Sequence, residues 1–124
     1  STSITTQGGA RQVNIYVAGP MRGYPEFNFP AFHAATTRLR AEGHLVFSPA
    51  ERDEQIHGEG LVKGTTGDLK EIPQFSLRDA LGHDTAWICQ HADAIYLLPG
   101  WEQSKGATAE RALGIALGLE IIEP

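Results

Sequence analysis

Four short apolar runs, three of them halted by proline or glycine, restrict what this chain can fold into. Val13–Ala18 (VNIYVA) stops at Gly19-Pro20. Residues 44–48 (HLVFS) stop at Pro49, and 92–98 (ADAIYLL) stop at Pro99-Gly100. Residues 119–122 (LEII) form the fourth run. Their β-branched and aromatic content reads as buried strands. Between the first two, residues 27–42 place Phe29, Phe32, Ala35, Thr36 and Leu39 at helical spacing. Pro30 is tolerated in a first helical turn, and Gly43 suits a C-cap. Strand, helix, strand in that order predicts a parallel pair with a right-handed crossover. A further helix is expected over 76–91, with Leu77, Leu81, Trp87 and Ile88 toward the core, and another over 106–117, ended by Gly118. Residues 51–75 carry glycines and acids without sustained periodicity and read as one long loop, functional or disordered. The pattern predicts an α/β fold: an open parallel sheet of four to five strands with helices on both faces, a Rossmann/flavodoxin-like three-layer sandwich. The chain's 124 residues suit one core. The expected organisation is a flexible tail over 1–12 and a single domain over 13–124.

Charge and cysteine content exclude several function classes. Fifteen acids against ten Lys and Arg give a formal charge of −5. An acidic chain without basic runs is not built to hold a nucleic acid polymer. Any phosphate ligand would need a local site working against the overall field. No apolar run approaches the roughly 20 residues that span a bilayer, so no membrane partner is expected. Cys89 is single and cannot form an internal disulfide. Without a secretory signal, this points to a reducing, cytoplasmic setting, with Cys89 as a small core residue. His33, His44, His57, His83 and His91 form no ligand set. His57-Gly-Glu59 begins like a zinc deaminase signature, but the required Pro-Cys-x-x-Cys is missing. No metal and no cofactor is expected.

In open parallel sheets, ligands bind beyond the carboxyl ends of the strands. The loops expected there are 19–26, 49–75 and 99–106. In Gly19-Pro20-Met21-Arg22-Gly23, glycine amides can approach an anion closely, and Arg22 offers a planar fork of donors. The same residues also fit an ordinary turn with a solvated arginine. In Ser104-Lys105-Gly106-Ala107-Thr108-Ala109-Glu110, Ser104 and the Gly106 amide fall at a helix N-terminus, which favours anions. Glu110 follows about one turn later, and its Cβ tilts back toward that end. It is either a surface residue paired with Lys105 or Arg111, or a nucleophile for an oxocarbenium-like sugar carbon. Asp84 is either a solvated helical acid or a hydrogen-bonding group at the same sheet edge. Asp93, opening a strand, reads as a turn or cap residue.

Taken in order, Ile15-Tyr16-Val17-Ala18-Gly19-Pro20-Met21-Arg22-Gly23, Asp84…Ala92-Asp93-Ala94-Ile95 and Ser104-Lys105-Gly106-Ala107-Thr108-Ala109-Glu110 resemble the nucleoside 2-deoxyribosyltransferase superfamily. The spacings Tyr-x-x-Gly-x-x-Arg-Gly and Ser-x-Gly-x-x-x-Glu look most similar to its 2'-deoxynucleoside 5'-phosphate N-hydrolase branch. The wording LPGWEQSKGA is similar to an uncharacterised phage and prophage family. The resemblance runs from about Val13 to Ile122, with the middle loop unmatched. It implies an N-glycosidase. Glu110 would be the nucleophile at C1', Tyr16 would orient or tune it, and Asp84 would contact base or sugar and help protonate the leaving base. Gly19, Arg22, Gly23, Ser104 and Gly106 would cradle a 5'-phosphate. The implied reaction is hydrolysis of the N-glycosidic bond of a (deoxy)nucleoside 5'-monophosphate, with a small-molecule nucleotide or nucleoside as partner. Relatives complete their sites across a subunit interface, which implies a homodimer or larger oligomer. Three departures stand out: Pro20 replaces a hydroxyl residue, Asp84 is one residue further from Asp93 than in some relatives, and the sheet is a strand short. Base exchange by a deoxyribosyltransferase and nucleotide binding by a non-catalytic sensor remain the alternatives.

Overall fold

The computed structural model describes residues 12–124, so the tail expected over 1–12 lies almost wholly outside the described residues. Four strands form one sheet: β1 (Asn14–Ala18), β2 (Leu45–Phe47), β3 (Ala94–Leu97) and β4 (Glu120–Ile122). The order across the sheet is β2-β1-β3-β4, and every pairing is parallel. Four α-helices accompany it: α1 (Phe29–Ala41), α2 (Pro49–His57), α3 (Leu77–His91) and α4 (Lys105–Ala116). The α/β fold is thus a Rossmann/flavodoxin-like three-layer sandwich with four strands.

The period of two along the central strands sorts side chains into two cores. Ile15 and Val17 of β1 join Ala94 and Tyr96 of β3 on the face covered by α1, against Phe29, Phe32, Ala35 and Leu39. Tyr16 and Ala18 join Ile95 and Leu97 on the opposite face, against Ile88 of α3 and Ala107 of α4. Both faces of β1 and β3 are therefore buried, which explains their unbroken apolar runs. Each end strand has one neighbour; β2 and β4 span three residues each.

The helix expected over 27–42 is divided. A 3-10 turn (Pro25–Asn28) leads into α1, and Glu26, Phe27 and Asn28 all have positive φ. The long loop expected over 51–75 is corrected in part. Its first residues belong to α2, which packs against α1 and α3. Ser48-Pro49 is a strand stop and a helix start at once, since proline suits the first helical turn. The remainder lies over the β1–α1 loop, tied by Gly23 N–H donating to Gly67 O (2.9 Å) and Glu26 N–H to Thr65 O (3.0 Å). Leu77 is exposed rather than in the core. Cys89 is also exposed, on the outer side of α3, which corrects its reading as a core residue.

Candidate active site

The strand order reverses direction between β1 and β3, so the loops leaving their carboxyl ends diverge to opposite faces. A crevice opens where they part. Here it is a cavity of about 370 Å³, walled by the segments after β1, β2 and β3 and by α3. Aromatic and aliphatic side chains, among them Phe27, Phe29 and Phe75, form much of its wall. Against them stand three buried carboxyl groups from three different helices: Asp53 of α2, Asp84 of α3 and Glu110 of α4, at 3%, 5% and 6% exposure.

Glu110 lies a turn and a half into α4 and is carried into the cavity rather than to the surface. Tyr16, fully buried on β1, donates its hydroxyl to Glu110 Oε2 at 2.7 Å. Burial disfavours the carboxylate and pushes Glu110 up to about 8. The Tyr16 hydrogen bond opposes that shift, and the Asp84 charge adds to it. Tyr16 itself is raised well above its ordinary value, first by burial and then by the negative charge of Glu110. Asp84 is pushed up to about 7 by burial, with Arg52 and the Tyr16 hydroxyl pulling it back. Asp53 is also pushed up to about 7, by burial and then by the charge of Asp84, with Arg52 opposing. Three buried acids in one cleft, each held above its ordinary value, can exchange protons near neutrality.

Ser104 caps α4, its Oγ accepting from the Ala107 N–H at 3.1 Å. The N–H groups of Lys105 and Gly106 precede that bonded position and have no partner within the helix. They form a partly positive end facing the same cavity. Arg22 reaches the cavity from the β1–α1 loop and is exposed. Gly19 lies in the wall where a Cβ would stand 2.7 Å from Leu98 Cβ, so only glycine lets the two loops approach this closely. Gly23 is placed differently. It borders a shallow recess with Arg22 and Thr66, outside the cavity wall, and its N–H is bound to Gly67 O. Tyr16, Gly19, Arg22, Asp84, Ser104, Gly106 and Glu110 thus share one cavity, and Gly23 stands beside it.

Asp53 carries no signal in a segment, 51–75, whose lack of periodicity reads as loop. The signal lies just before it, in Ser48-Pro49 directly after a strand, which places the next helical turns at the binding edge of the sheet. The apolar walls from 61–75 left no periodic trace at all. Asp93 behaves as a cap: its Oδ2 accepts from Asn14 N–H at 2.8 Å at the start of β1. Among the described residues, no group of His, Cys, Asp and Glu is arranged to hold a metal ion, and no helix is long and apolar enough to cross a membrane.

Residues 13–123 match the model of a family described as a domain of unknown function (DUF4406). No curated protein and no solved structure matches the chain.

Proposed function

We propose that this chain, which belongs to the DUF4406 family, hydrolyses the N-glycosidic bond of a (deoxy)nucleoside 5'-monophosphate. The observation that carries this reading is the Glu110–Tyr16 pair, buried in a cavity that also holds the positive end of α4. A carboxylate held by a phenol stands about a turn and a half along the helix whose first N–H groups can receive an anion, so one helix offers a group for a sugar carbon and a group for a phosphate. The apolar walls suit the faces of a base and exclude bulk water.

Glu110 in its ionised form attacks C1'. The C1'–N bond breaks, and its electron pair leaves with the base. Asp84, protonated, supplies the proton that makes the base a neutral leaving group. A glycosyl ester on Glu110 results. Water then attacks C1', its proton passes to the Asp84 carboxylate, and the Glu110 carboxylate departs. The products are free base and (deoxy)ribose 5-phosphate, with both acids returned to their starting states. The productive pairing, ionised Glu110 beside protonated Asp84, is a minor form near pH 7, because the value of Glu110, about 8, lies above that of Asp84, about 7. Tyr16 favours the ionised Glu110 by donating to it. Arg22, the Ser104 hydroxyl and the Gly106 amide receive the 5'-phosphate.

Chromatography of purified protein against nucleotides and matching nucleosides tests the reading. Free base is expected from monophosphates, little or none from nucleosides, and none with Glu110→Gln. Full turnover by Glu110→Gln overturns the nucleophile. Base exchange seen only with an added acceptor base would assign a transferase instead. Nucleotide binding without release of base would assign a sensor.

A further inference from the structure

Asp53 takes no part in the bond-breaking steps above, yet it is as little exposed as the other two acids. Its Oδ1 has no hydrogen-bond partner among the described residues, and neither has Asp84 Oδ1. Arg52 comes no nearer to Asp53 Oδ1 than 3.8 Å, too far for a hydrogen bond. Two buried acceptors left without donors are expensive unless a ligand supplies the donors. Both residues line the same cavity. Asp84 on α3 and Asp53 on α2 face the cavity from elements other than α4, which carries both Glu110 and the anion end. A nucleotide with its phosphate at the α4 end and its sugar at Glu110 leaves its base for the part of the cavity walled by α2 and α3.

We propose that Asp53 and Asp84 together accept the two N–H bonds of the exocyclic amino group of the nucleobase, so that the chain prefers amino-bearing bases to their oxo counterparts. This inference rests on reading the cavity as a nucleotide site. An amino group is one atom with two donors, and it satisfies one unpartnered oxygen from each acid. A carbonyl in the same place meets acceptors and is repelled. Sites that hydrogen-bond a substrate group reject analogues lacking it, because their own buried groups are left unpaired. The preference strengthens as pH rises through about 7, where the pair loses its protons and can only accept. The charged groups facing the pair are Arg52 and Glu54 of α2, Tyr16 of β1 and Glu110 of α4, while His33 of α1 contacts Glu54.

The test is calorimetric binding of matched monophosphates that differ only by amino for oxo: AMP against IMP, and CMP against UMP. Glu110→Gln protein is used so that nothing is consumed. A preference of about tenfold or more for at least one amino member at pH 8 is expected, narrowing at pH 6. Asp53→Asn, which places a donor in the pair, is expected to bring the ratio to within about threefold. If that variant does not fold, the wild-type residue's ratio and its pH dependence still decide. Equal binding of both members of each pair overturns the inference. Amino preference without release of base by the unmodified protein upholds it while overturning the hydrolase reading. Base release without amino preference does the reverse, and no binding of any nucleotide overturns both.

Discussion

At 2.7 Å from Glu110 Oε2, the Tyr16 hydroxyl is the only hydrogen-bond donor that the described residues offer this carboxyl. The phenol is well above its ordinary value and stays a donor across the neutral range. Tyr16→Phe removes that donor and leaves the surrounding apolar contacts in place. A hydrogen bond to a charged group contributes roughly 1.5–3 kcal/mol. The expected loss in kcat/KM is therefore about 10- to 100-fold. The pH profile gives an independent readout. The unmodified protein should show a bell in kcat/KM, bounded by apparent values near 7 and 8 that belong to the coupled acids jointly. Because the value of Glu110 lies above that of Asp84, the upper bound follows Glu110 and the lower bound follows Asp84. The Tyr16 hydroxyl holds both down, so in Tyr16→Phe the whole bell moves upward. An unmoved bell in Tyr16→Phe would show that the phenol acts on packing alone.

Helix α4 carries both halves of the site, the anion end and Glu110, so its seat on the sheet sets the geometry between them. Gly114 permits that seat. A Cβ there would stand 2.7 Å from Ile95 Cγ1 and 3.2 Å from Ile121 Cδ1, against a strand buried on both faces. Overpacking of this kind costs about 1–3 kcal/mol. Gly114→Val is expected to lower the urea midpoint by a corresponding amount and to depress base release more than binding, since Glu110 sits one turn earlier on α4. A midpoint equal to that of the unmodified protein would show that α4 shifts freely. On the other side of the cavity, Glu26, Phe27 and Asn28 hold left-handed backbone, at a cost of about 1–2 kcal/mol each. They are kept there by neighbours. Gly64 N–H donates to Glu26 Oε2 (2.9 Å), and Asn28 Nδ2 donates to Pro20 O (3.0 Å). The middle segment thus braces Phe27 into the cavity wall.

Three buried acids also leave a mark on the whole molecule. Asp53, Asp84 and Glu110 are all held above their ordinary values when folded. The folded chain therefore keeps protons that the unfolded chain gives up at about pH 4. Stability from these groups is full below about pH 4 and is lost as pH rises through 7 to 8. Glu51 works in the opposite direction. Its bonds to Arg40 hold it below its ordinary value, so its contribution disappears only in acid. Between pH 6 and pH 9 the buried acids dominate. Tm is expected to be several degrees higher at pH 6 than at pH 9, and the combined Asp53→Asn, Asp84→Asn and Glu110→Gln variant should flatten that slope. A Tm equal at the two pH values in the unmodified protein would mean that water reaches these carboxyls.

Apolar runs ended by proline or glycine were enough to specify four parallel strands and the edge of the sheet where ligands bind, because strand burial and chain reversal are local matters of period and backbone freedom. Ser104 was legible for the same reason, standing at a fixed offset from a helix end, whereas spacing left Glu110 open between surface and site, and Tyr16 entered only through the family resemblance. The helix at 49–57 was hidden by its polarity: PAERDEQIH buries only Pro49, Ala50 and Asp53. Burial of the acidic side chains was not legible anywhere. A glutamate one turn into a helix looks alike in sequence whether it faces water or a phenol. Only the tertiary structure decided that residues 53, 84 and 110 meet in one cavity, because their pKa values and their missing partners depend on which elements exclude water from them, and that is a property of packing across the chain.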